Sequence, residues 1–239
     1  MREYQQFAQF YDSLMGDSSS RSARILEAID RLDVGATSLL EFGCGTGSVL
    51  EDLVSMPRLV GLDASAEMLS AATVKVPSAE FLLGDMTDFD LGTTFDVVAY
   101  VFDTVNHLVN YEAWESLFQG VARHLEPGSL FVSDLNTIGR LHQLVASPPW
   151  VHDFDGNTLI MDVRSDGDEL TLWDIRVFAA AGDGTFTLHQ ENIRELGVAL
   201  ETVRTTLATD FDLLHEEDDS GNPPTDESSR AYFVHRRQD

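Results

Sequence analysis

The amino-acid sequence predicts an α/β fold in which a parallel sheet is covered by helices on both faces and is followed by an antiparallel layer. Three observations carry this expectation. From about residue 37 onward, short β-branched or apolar runs alternate with helical patterns, the order of elements that a doubly covered parallel sheet requires. A glycine-rich bend, Gly43-Cys44-Gly45-Thr46-Gly47, stands where the first strand meets its helix. After Pro148-Pro149 the texture changes, and apolar runs joined by Gly- and Asp-containing turns read as consecutive antiparallel strands.

Each element follows from its local pattern. Tyr4, Phe7, Tyr11 and Leu14 recur at helical spacing and predict a short amphipathic helix inside an N-terminal helical cap, 1–35. In the central unit, 36–147, strands are predicted at 38–42, 59–62, 80–83, 95–101 and 130–134, with helices at 48–55, 66–73, 111–124 and 138–145. Pro127-Gly128 reads as a stop-and-turn feeding the fifth strand. The antiparallel insertion, 148–196, holds strands at 159–164, 170–178 and 186–193. A helix at 198–209 and strands at 211–215 and 231–235 complete the sheet in 197–239. The acidic, Pro/Gly/Ser-rich stretch 216–230 is expected to be a mobile surface loop.

Composition narrows the function classes. With 239 residues and 43% apolar content, the chain is long enough for one good core, so a single domain with an elaboration is expected. The opening Met1-Arg2-Glu3-Tyr4-Gln5-Gln6 lacks the apolar run of a secretory signal, and no eighteen-residue apolar stretch occurs, which points to the cytoplasm and away from a membrane. A single cysteine, Cys44, leaves no partner for a disulfide within the chain and no cysteine-rich zinc site. The seven histidines show no HExxH or His/Cys cluster, so no metal site is expected. A formal net charge of −26 disfavours any surface that tracks a phosphate backbone, so nucleic acid is not the expected partner.

The chemical signal sits at the ends of the first three strands. A glycine bend permits positive φ and lets a ligand approach the backbone, although a tight strand-to-helix turn with no ligand uses the same residues. Asp63 ends the second strand twenty residues after Gly43, where a carboxylate accepts hydrogen bonds from ribose hydroxyls. Asp85 ends the third strand within Gly84-Asp85-Met86, and it also reads as a helix N-cap. Glu41, Asp63 and Asp85 should converge on one cleft beyond the carboxyl ends of the strands, and that much negative charge suits a cationic sulfonium better than a pyrophosphate.

These residues resemble the class I S-adenosylmethionine-dependent methyltransferases. Glu41-x-Gly43-x-Gly45-x-Gly47 is similar to the family's first motif, Gly61-Leu62-Asp63-Ala64-Ser65-x-x-Met68-Leu69 to its second, and Gly84-Asp85-Met86 to its third. Phe95-Asp96-Val97-Val98 through Asn106-His107-Leu108, then His124-Leu125-Glu126-Pro127-Gly128-Ser129-Leu130, resemble the following strand, loop and turn. Phe7-Ala8-x-Phe10-Tyr11-Asp12-x-Leu14-Met15 looks like the opening of a small-molecule subgroup that includes sugar N-methyltransferases. Where that subgroup carries a further aromatic residue, this chain reads Asp17-Ser18-Ser19-Ser20-Arg21.

The resemblance implies a Rossmann-like doubly wound sheet, mainly parallel with an antiparallel last strand, and an inserted antiparallel β lid. It implies S-adenosyl-L-methionine as cofactor, with Gly43, Cys44 and Gly45 along the methionyl part, Glu41 opening that motif, Asp63 on the ribose hydroxyls and Asp85 on the adenine amino group. Ala64, Met68, Met86 and Phe102 would flank the base or ribose. Tyr11 would close over the sulfonium, or serve as an ordinary helix-face aromatic.

The acceptor would be a small molecule and the protein a monomer or homodimer. Displacement at a sulfonium methyl needs no enzyme nucleophile, so orientation and exclusion of water supply most of the acceleration. If the acceptor arrives protonated, His107 and Asp103 are the candidate bases, then Asp134 and Asn136, each with loop hydrogen bonding as the other reading.

Other classes fit less well. Nucleic-acid amine methylation would call for Asn/Asp-Pro-Pro-aromatic after the fourth strand, where Asp103-Thr104-Val105-Asn106 is found; Asn222-Pro223-Pro224-Thr225 imitates it far downstream. A nicotinamide-dependent oxidoreductase would place a third glycine at position 48, which is Ser48, and would leave Asp85 without a role. A non-catalytic nucleoside-binding protein would use the same pocket.

Overall fold

The computed structural model describes residues 6–32 and 35–239, so Tyr4 and the opening five residues lie outside the described part. Seven strands form one sheet: β1 Ser38–Phe42, β2 Arg58–Asp63, β3 Glu80–Leu83, β4 Phe95–Tyr100, β5 Leu125–Asn136, β10 Phe211–Glu217 and β11 Arg230–Arg237. Their order is β10-β11-β5-β4-β1-β2-β3. Neighbours are parallel except around β11, which runs antiparallel to both β5 and β10.

The alternation of side chains across the sheet builds two cores. Leu40 and Phe42 of β1, with Val98 and Tyr100 of β4, face α5 (Tyr111–Arg123) and its buried Trp114, Leu117 and Val121. Leu39, Val97 and Ala99 face the opposite way, onto Ile25 and Ala28 of α2 (Ser19–Arg31) and Leu50 of α3 (Ser48–Asp52). Apolar side chains on both faces explain why β1 and β4 read as near-continuous hydrophobic runs. Glu41 interrupts β1 on the α2 side, and it is 3% exposed.

A second sheet contains β6 (Trp150–Phe154), β7 (Asn157–Ser165), β8 (Leu170–Ala180) and β9 (Phe186–Leu196), antiparallel in that order. Leu159, Ile175, Val177 and Ile193 close a small core with Phe7, against which Phe10, Tyr11 and Leu14 of α1 (Ala8–Met15) also pack. The amphipathic N-terminal helix therefore lies against this layer. The remaining helices are α4 (Ala66–Lys75), α6 (Ile138–Val145) and α7 (Leu200–Leu207).

Four expectations are corrected. Strand β6 joins the three predicted in the insertion; Asp155 and Gly156, at φ 47° and 80°, form the two-residue turn that pairs Phe154 with Asn157. The N-terminal cap contains a thirteen-residue α2 that had no separate place in the sequence reading. Pro127-Gly128 does not delay β5, which starts at Leu125; the pair is absorbed by a register shift against β4, with Gly128 at φ 90°. The stretch expected to be a mobile loop is anchored instead: Asp226 accepts from Gly139 N at 2.8 Å through its carbonyl and from Leu200 N at 2.8 Å through Oδ1, while Arg204 Nη2 donates to the Pro224 carbonyl at 3.0 Å.

Asn106 joins the two sheets. It is 0% exposed, its Nδ2 donates to the carbonyls of Asn136 on β5 (3.0 Å) and Leu196 on β9 (2.9 Å), and its Oδ1 accepts from Asn136 N (2.9 Å). Asn106→Ala strands buried polar groups of both sheets and is expected to cost about 2–4 kcal/mol. Urea unfolding of the variant and wild type measures this as a lower midpoint at unchanged slope.

Candidate functional site

The glycine bend is shaped by contacts that side chains would block. Gly43, Gly45 and Gly47 have φ of 62°, 53° and 75°. A Cβ on Gly43 would stand 2.4 Å from Thr104 Cγ2, so Gly43 lets the loop after β4 approach β1. A Cβ on Gly45 would meet nothing within 4 Å, so this backbone faces open space. Asp63, at the end of β2, fixes the bend: Oδ2 accepts from Gly45 N and Oδ1 from Ser65 N, each at 2.8 Å. Burial pushes its carboxyl upward, while the N–H bonds of Ser65 and Gly45 pull the other way.

The sole lysine, Lys75, clips α1 onto the bend. Its Nζ lies 2.7 Å from Asp12 Oδ2 and donates to Thr46 Oγ1 (3.1 Å) and Ser48 Oγ (2.7 Å). Thr46 Oγ1 also donates to Asp12 Oδ1 at 2.5 Å. The helix carrying Tyr11 is thereby held over the strand ends. Burial raises the Tyr11 hydroxyl, and Asp103, Asp63 and Glu41 add to the effect while Arg21 opposes it. Glu41 Oε2 is buried and has no hydrogen-bond partner among the described residues. Burial first, with Asp63 also contributing, lifts the Glu41 carboxyl well above the ordinary range, and Arg21 lowers it.

Beyond β4 the chain turns through Phe102 and Asp103, both left-handed at φ 63° and 59°. Asp134 of β5 holds this turn, accepting from Phe102 N at 2.8 Å and Asp103 N at 2.9 Å. Arg230 of β11 binds Asp134 (2.5 Å), Asp103 (2.9 Å) and Asn136 Oδ1 (3.1 Å). The Asp134 and Asn136 side chains are thus committed to the scaffold, which corrects their reading as reserve bases. Arg21 and Arg230 both stack on Phe102, at 4.4 and 5.2 Å from the ring centroid.

Asp103 and His107 come together with Glu195 of β9, their nearest ligating atoms all within 4.8 Å of one another. The sequence pairs Asp103 with His107, four residues on, but gives no sign of Glu195. Asn136 Nδ2 donates to Glu195 Oε2 at 2.9 Å. Burial and the charge of Asp103 push Glu195 up to about 8, against the pull of His107. Burial also raises Asp103, which Arg230 and His107 oppose. A cavity of about 450 Å³ opens beside this cluster, with Tyr11, Phe102, Trp150 and Trp173 among its walls.

The other predicted residues are placed as follows. Cys44 is buried with its Sγ against Gly61, and burial and nearby acids raise its thiol well above the usual range, which suits packing and not nucleophilic work. Ala64 is exposed beside Asp63. Met68 is 2% exposed and packs in the interior under α4, and Met86 is half-buried against the core. Asp85 lies just past the end of β3, next to the end of β2, where Gly84 N donates to the Asp63 carbonyl at 3.0 Å. Its exposed Oδ1 accepts from Thr87 N (2.8 Å) and Thr87 Oγ1 (2.7 Å), which makes a turn; the alternative reading as a helix N-cap is corrected, since no helix starts between β3 and β4. Arg21, Glu195 and Arg230 were not singled out in sequence. Arg21 stands in the stretch that departs from the subgroup's aromatic pattern, the one local signal for any of the three.

Residues 39–128 match the family described as "Methyltransferase domain". This stretch, which holds β1 to β4 and the glycine bend, is similar to that family over 39–128 of the chain's 239 residues. The chain is 34% identical over 124 residues to a dTDP-3-amino-3,4,6-trideoxy-alpha-D-glucopyranose N,N-dimethyltransferase of Streptomyces venezuelae, covering 52% of each protein. It thus spans about half the length of the curated relatives it matches first. Among solved structures, an S-adenosylmethionine-dependent methyltransferase from Clostridium acetobutylicum superposes with a TM-score of 0.88 at 22% identity over 99% of both chains. CalS10, an amino pentose methyltransferase from Micromonospora echinaspora, superposes at 0.76 with 22% identity over 98% of both. These superpositions show that the described chain shares the fold of those two structures. No helix among the described residues is long and apolar enough to cross a membrane.

Arg230 neutralises two buried carboxylates, so its removal should be felt through the fold. Arg230→Met leaves Asp103 and Asp134 uncompensated and is expected to cost about 3–5 kcal/mol near neutral pH. Asp103 already titrates above its unfolded value, so the folded state holds a proton that the unfolded state has lost, and stability falls as pH rises through that window. Loss of Arg230 removes the charge that opposes this rise and lifts Asp103 further. The deficit of the variant should therefore shrink on acidification, as urea midpoints at pH 5 and pH 8 will show.

Proposed function

We propose that this protein binds S-adenosyl-L-methionine at the glycine bend and transfers its methyl group to a small-molecule amine of the amino-sugar kind by in-line displacement, in the cytoplasm, as a monomer or homodimer, without nucleic acid or membrane as partner. The observation that carries the reading is the buried, unpartnered Glu41 Oε2 near Asp63, beside backbone at Gly45 that no side chain obstructs. An orphaned buried carboxylate calls for a donor or a cation. A ligand bearing an ammonium, a sulfonium and ribose hydroxyls meets that need, and the residues present fit it.

In this reading Gly43, Cys44 and Gly45 hold the methionyl part, Asp63 the ribose, and Asp85, Ala64, Met68, Met86 and Phe102 the base side. When bound, the cofactor supplies an electrophilic methyl group on a positively charged sulfur. Tyr11 covers that position and keeps water away, and the aromatic-walled cavity orients the acceptor. Orientation of this sort is worth up to about 7–11 kcal/mol in favourable cases. Asp103 at the cavity wall and His107 beside it are the candidates to receive the acceptor's proton. The names of the similar amino-sugar dimethyltransferases support an amine acceptor. The unit 36–147 would serve as the cofactor-binding core, 148–196 as the lid, and 1–35 and 197–239 as the cap and the completion of the sheet.

A nicotinamide cofactor fits less well. Position 48 is Ser48, whose hydroxyl is engaged with Asp12 and Lys75, and the acids around the bend repel a pyrophosphate.

Calorimetry with S-adenosylmethionine and with NAD tests the reading; binding of the first and not the second is expected. Asp63→Ala removes charged acceptors and should weaken donor binding by roughly 1.5–3 kcal/mol, about ten- to a hundredfold. Unchanged donor affinity in a folded Asp63→Ala protein refutes the assignment of Asp63. Turnover of an amine with labelled donor separates an enzyme from a non-catalytic nucleoside binder.

A further inference from the structure

The acceptor side of the cavity crowds three carboxyl groups, Asp103, Asp134 and Glu195, around one guanidinium, Arg230, and one imidazole, His107. Asp134 is occupied by two backbone N–H groups and Arg230, and Asp103 is held by Arg230. Glu195 is placed differently. It is 2% exposed, lines the cavity, and is steadied by Asn136 Nδ2 on one oxygen, with Asp103 and His107 close by. A cationic guest compensates an ionised Glu195 here, whereas an anionic guest is repelled by the three carboxyl groups. The cavity's aromatic walls and its volume of about 450 Å³ suit an organic cation, and Arg230 beside Asp103 makes the cluster a poor cage for a metal ion.

We infer that Glu195, on the lid strand β9, recognises the acceptor as an ammonium ion and accepts its proton before methyl transfer, so that the acceptor class is a primary or secondary amine and not a hydroxyl compound. The inference rests on the methyl-transfer reading and deepens it. One N–H bond of the ammonium breaks, its proton passes to a Glu195 carboxylate oxygen, and the freed nitrogen lone pair forms the N–CH3 bond as the S–CH3 bond breaks. S-adenosylhomocysteine leaves neutral, the methylated nitrogen keeps the positive charge, and Glu195 returns its proton to solvent when product departs. Burial brings the Glu195 carboxyl closer to the range of an amine than an ordinary carboxylate lies, which narrows the gap for the proton transfer.

The test is calorimetry on protein saturated with S-adenosylhomocysteine, comparing 3-amino-3-deoxy-D-glucose with D-glucose. Wild type should bind the amine at least about tenfold more tightly, as expected for a charge-assisted contact in a buried site. E195Q should erase the preference, E195D should keep part of it, and all three proteins should bind S-adenosylhomocysteine equally. Equal affinity of wild type for the two sugars, including none for either, overturns the inference, and so does an E195Q protein that keeps the preference. Amine binding lost on EDTA treatment and restored by Mg2+ or Zn2+ would assign the cluster to a metal and overturn it as well. The wild-type comparison decides the amine class even if E195Q does not fold. Failure of wild type to bind S-adenosylhomocysteine would instead strike the methyl-transfer reading itself.

Discussion

The carboxylate of Asp134 is the group on which the site's geometry depends. Two consecutive non-glycine residues in the left-handed region, Phe102 and Asp103, each carry a conformational cost of order 1–3 kcal/mol. Asp134 offsets it by accepting both of their N–H groups, and Arg230 in turn offsets the burial of Asp134. The arrangement couples β5 and β11 to the loop after β4, and it aims the Phe102 ring and the Asp103 carboxyl toward the cavity. A charged residue that does no chemistry thereby determines where the chemistry is placed.

Charge is distributed in the site with a purpose that the bulk composition conceals. A formal charge of −26 says only that the protein repels polyanions. Inside, Arg21 and Arg230 both stack on Phe102, Arg230 also pairing with Asp103 and Asp134, while Glu41, Asp63, Asp103 and Glu195 are drawn inward. Burying carboxylates costs free energy unless a cation or donor compensates them. A site that accepts this cost on both the donor and the acceptor side is suited to two cationic ligands. In the proposed reaction, one of the two must lose a proton before it can act as a nucleophile.

Much of this was legible in the sequence because the sheet is covered on both faces. Leu39 and Leu40, or Val97 and Val98, feed opposite cores from adjacent positions, so the strands stand out as unbroken apolar runs between helical stretches. The glycine bend and Asp63 were legible for a different reason, since their roles depend on spacings under twenty-five residues. Strand β6 was not, because it lies mostly on the surface and the face carrying Trp150 and Phe154 is interrupted by His152. The bulge at Gly128 hid behind a Pro-Gly pair that ordinarily ends an element. Glu195 and Arg230 were hidden by topology: the former meets His107 across 88 positions and the latter meets Asp103 across 127, and no local pattern encodes such a meeting.

The lid's attachment explains how a residue so distant in sequence can be held with accuracy. Were β9 tethered only by its connections, Glu195 would move with the whole insertion. Instead Asn106 ties Leu196 to the end of β5, and Asn136, held by the same Asn106, donates to the Glu195 side chain. The acceptor-side carboxylate is therefore positioned by the strand ends that also present the donor-side groups, through hydrogen bonds buried from water. Such a chain transmits position because each member has its partners fixed, and a group held this way needs little reorganisation when charge moves. The apolar packing of Phe7, Ile175 and Ile193 then has only to exclude water and enclose the guest.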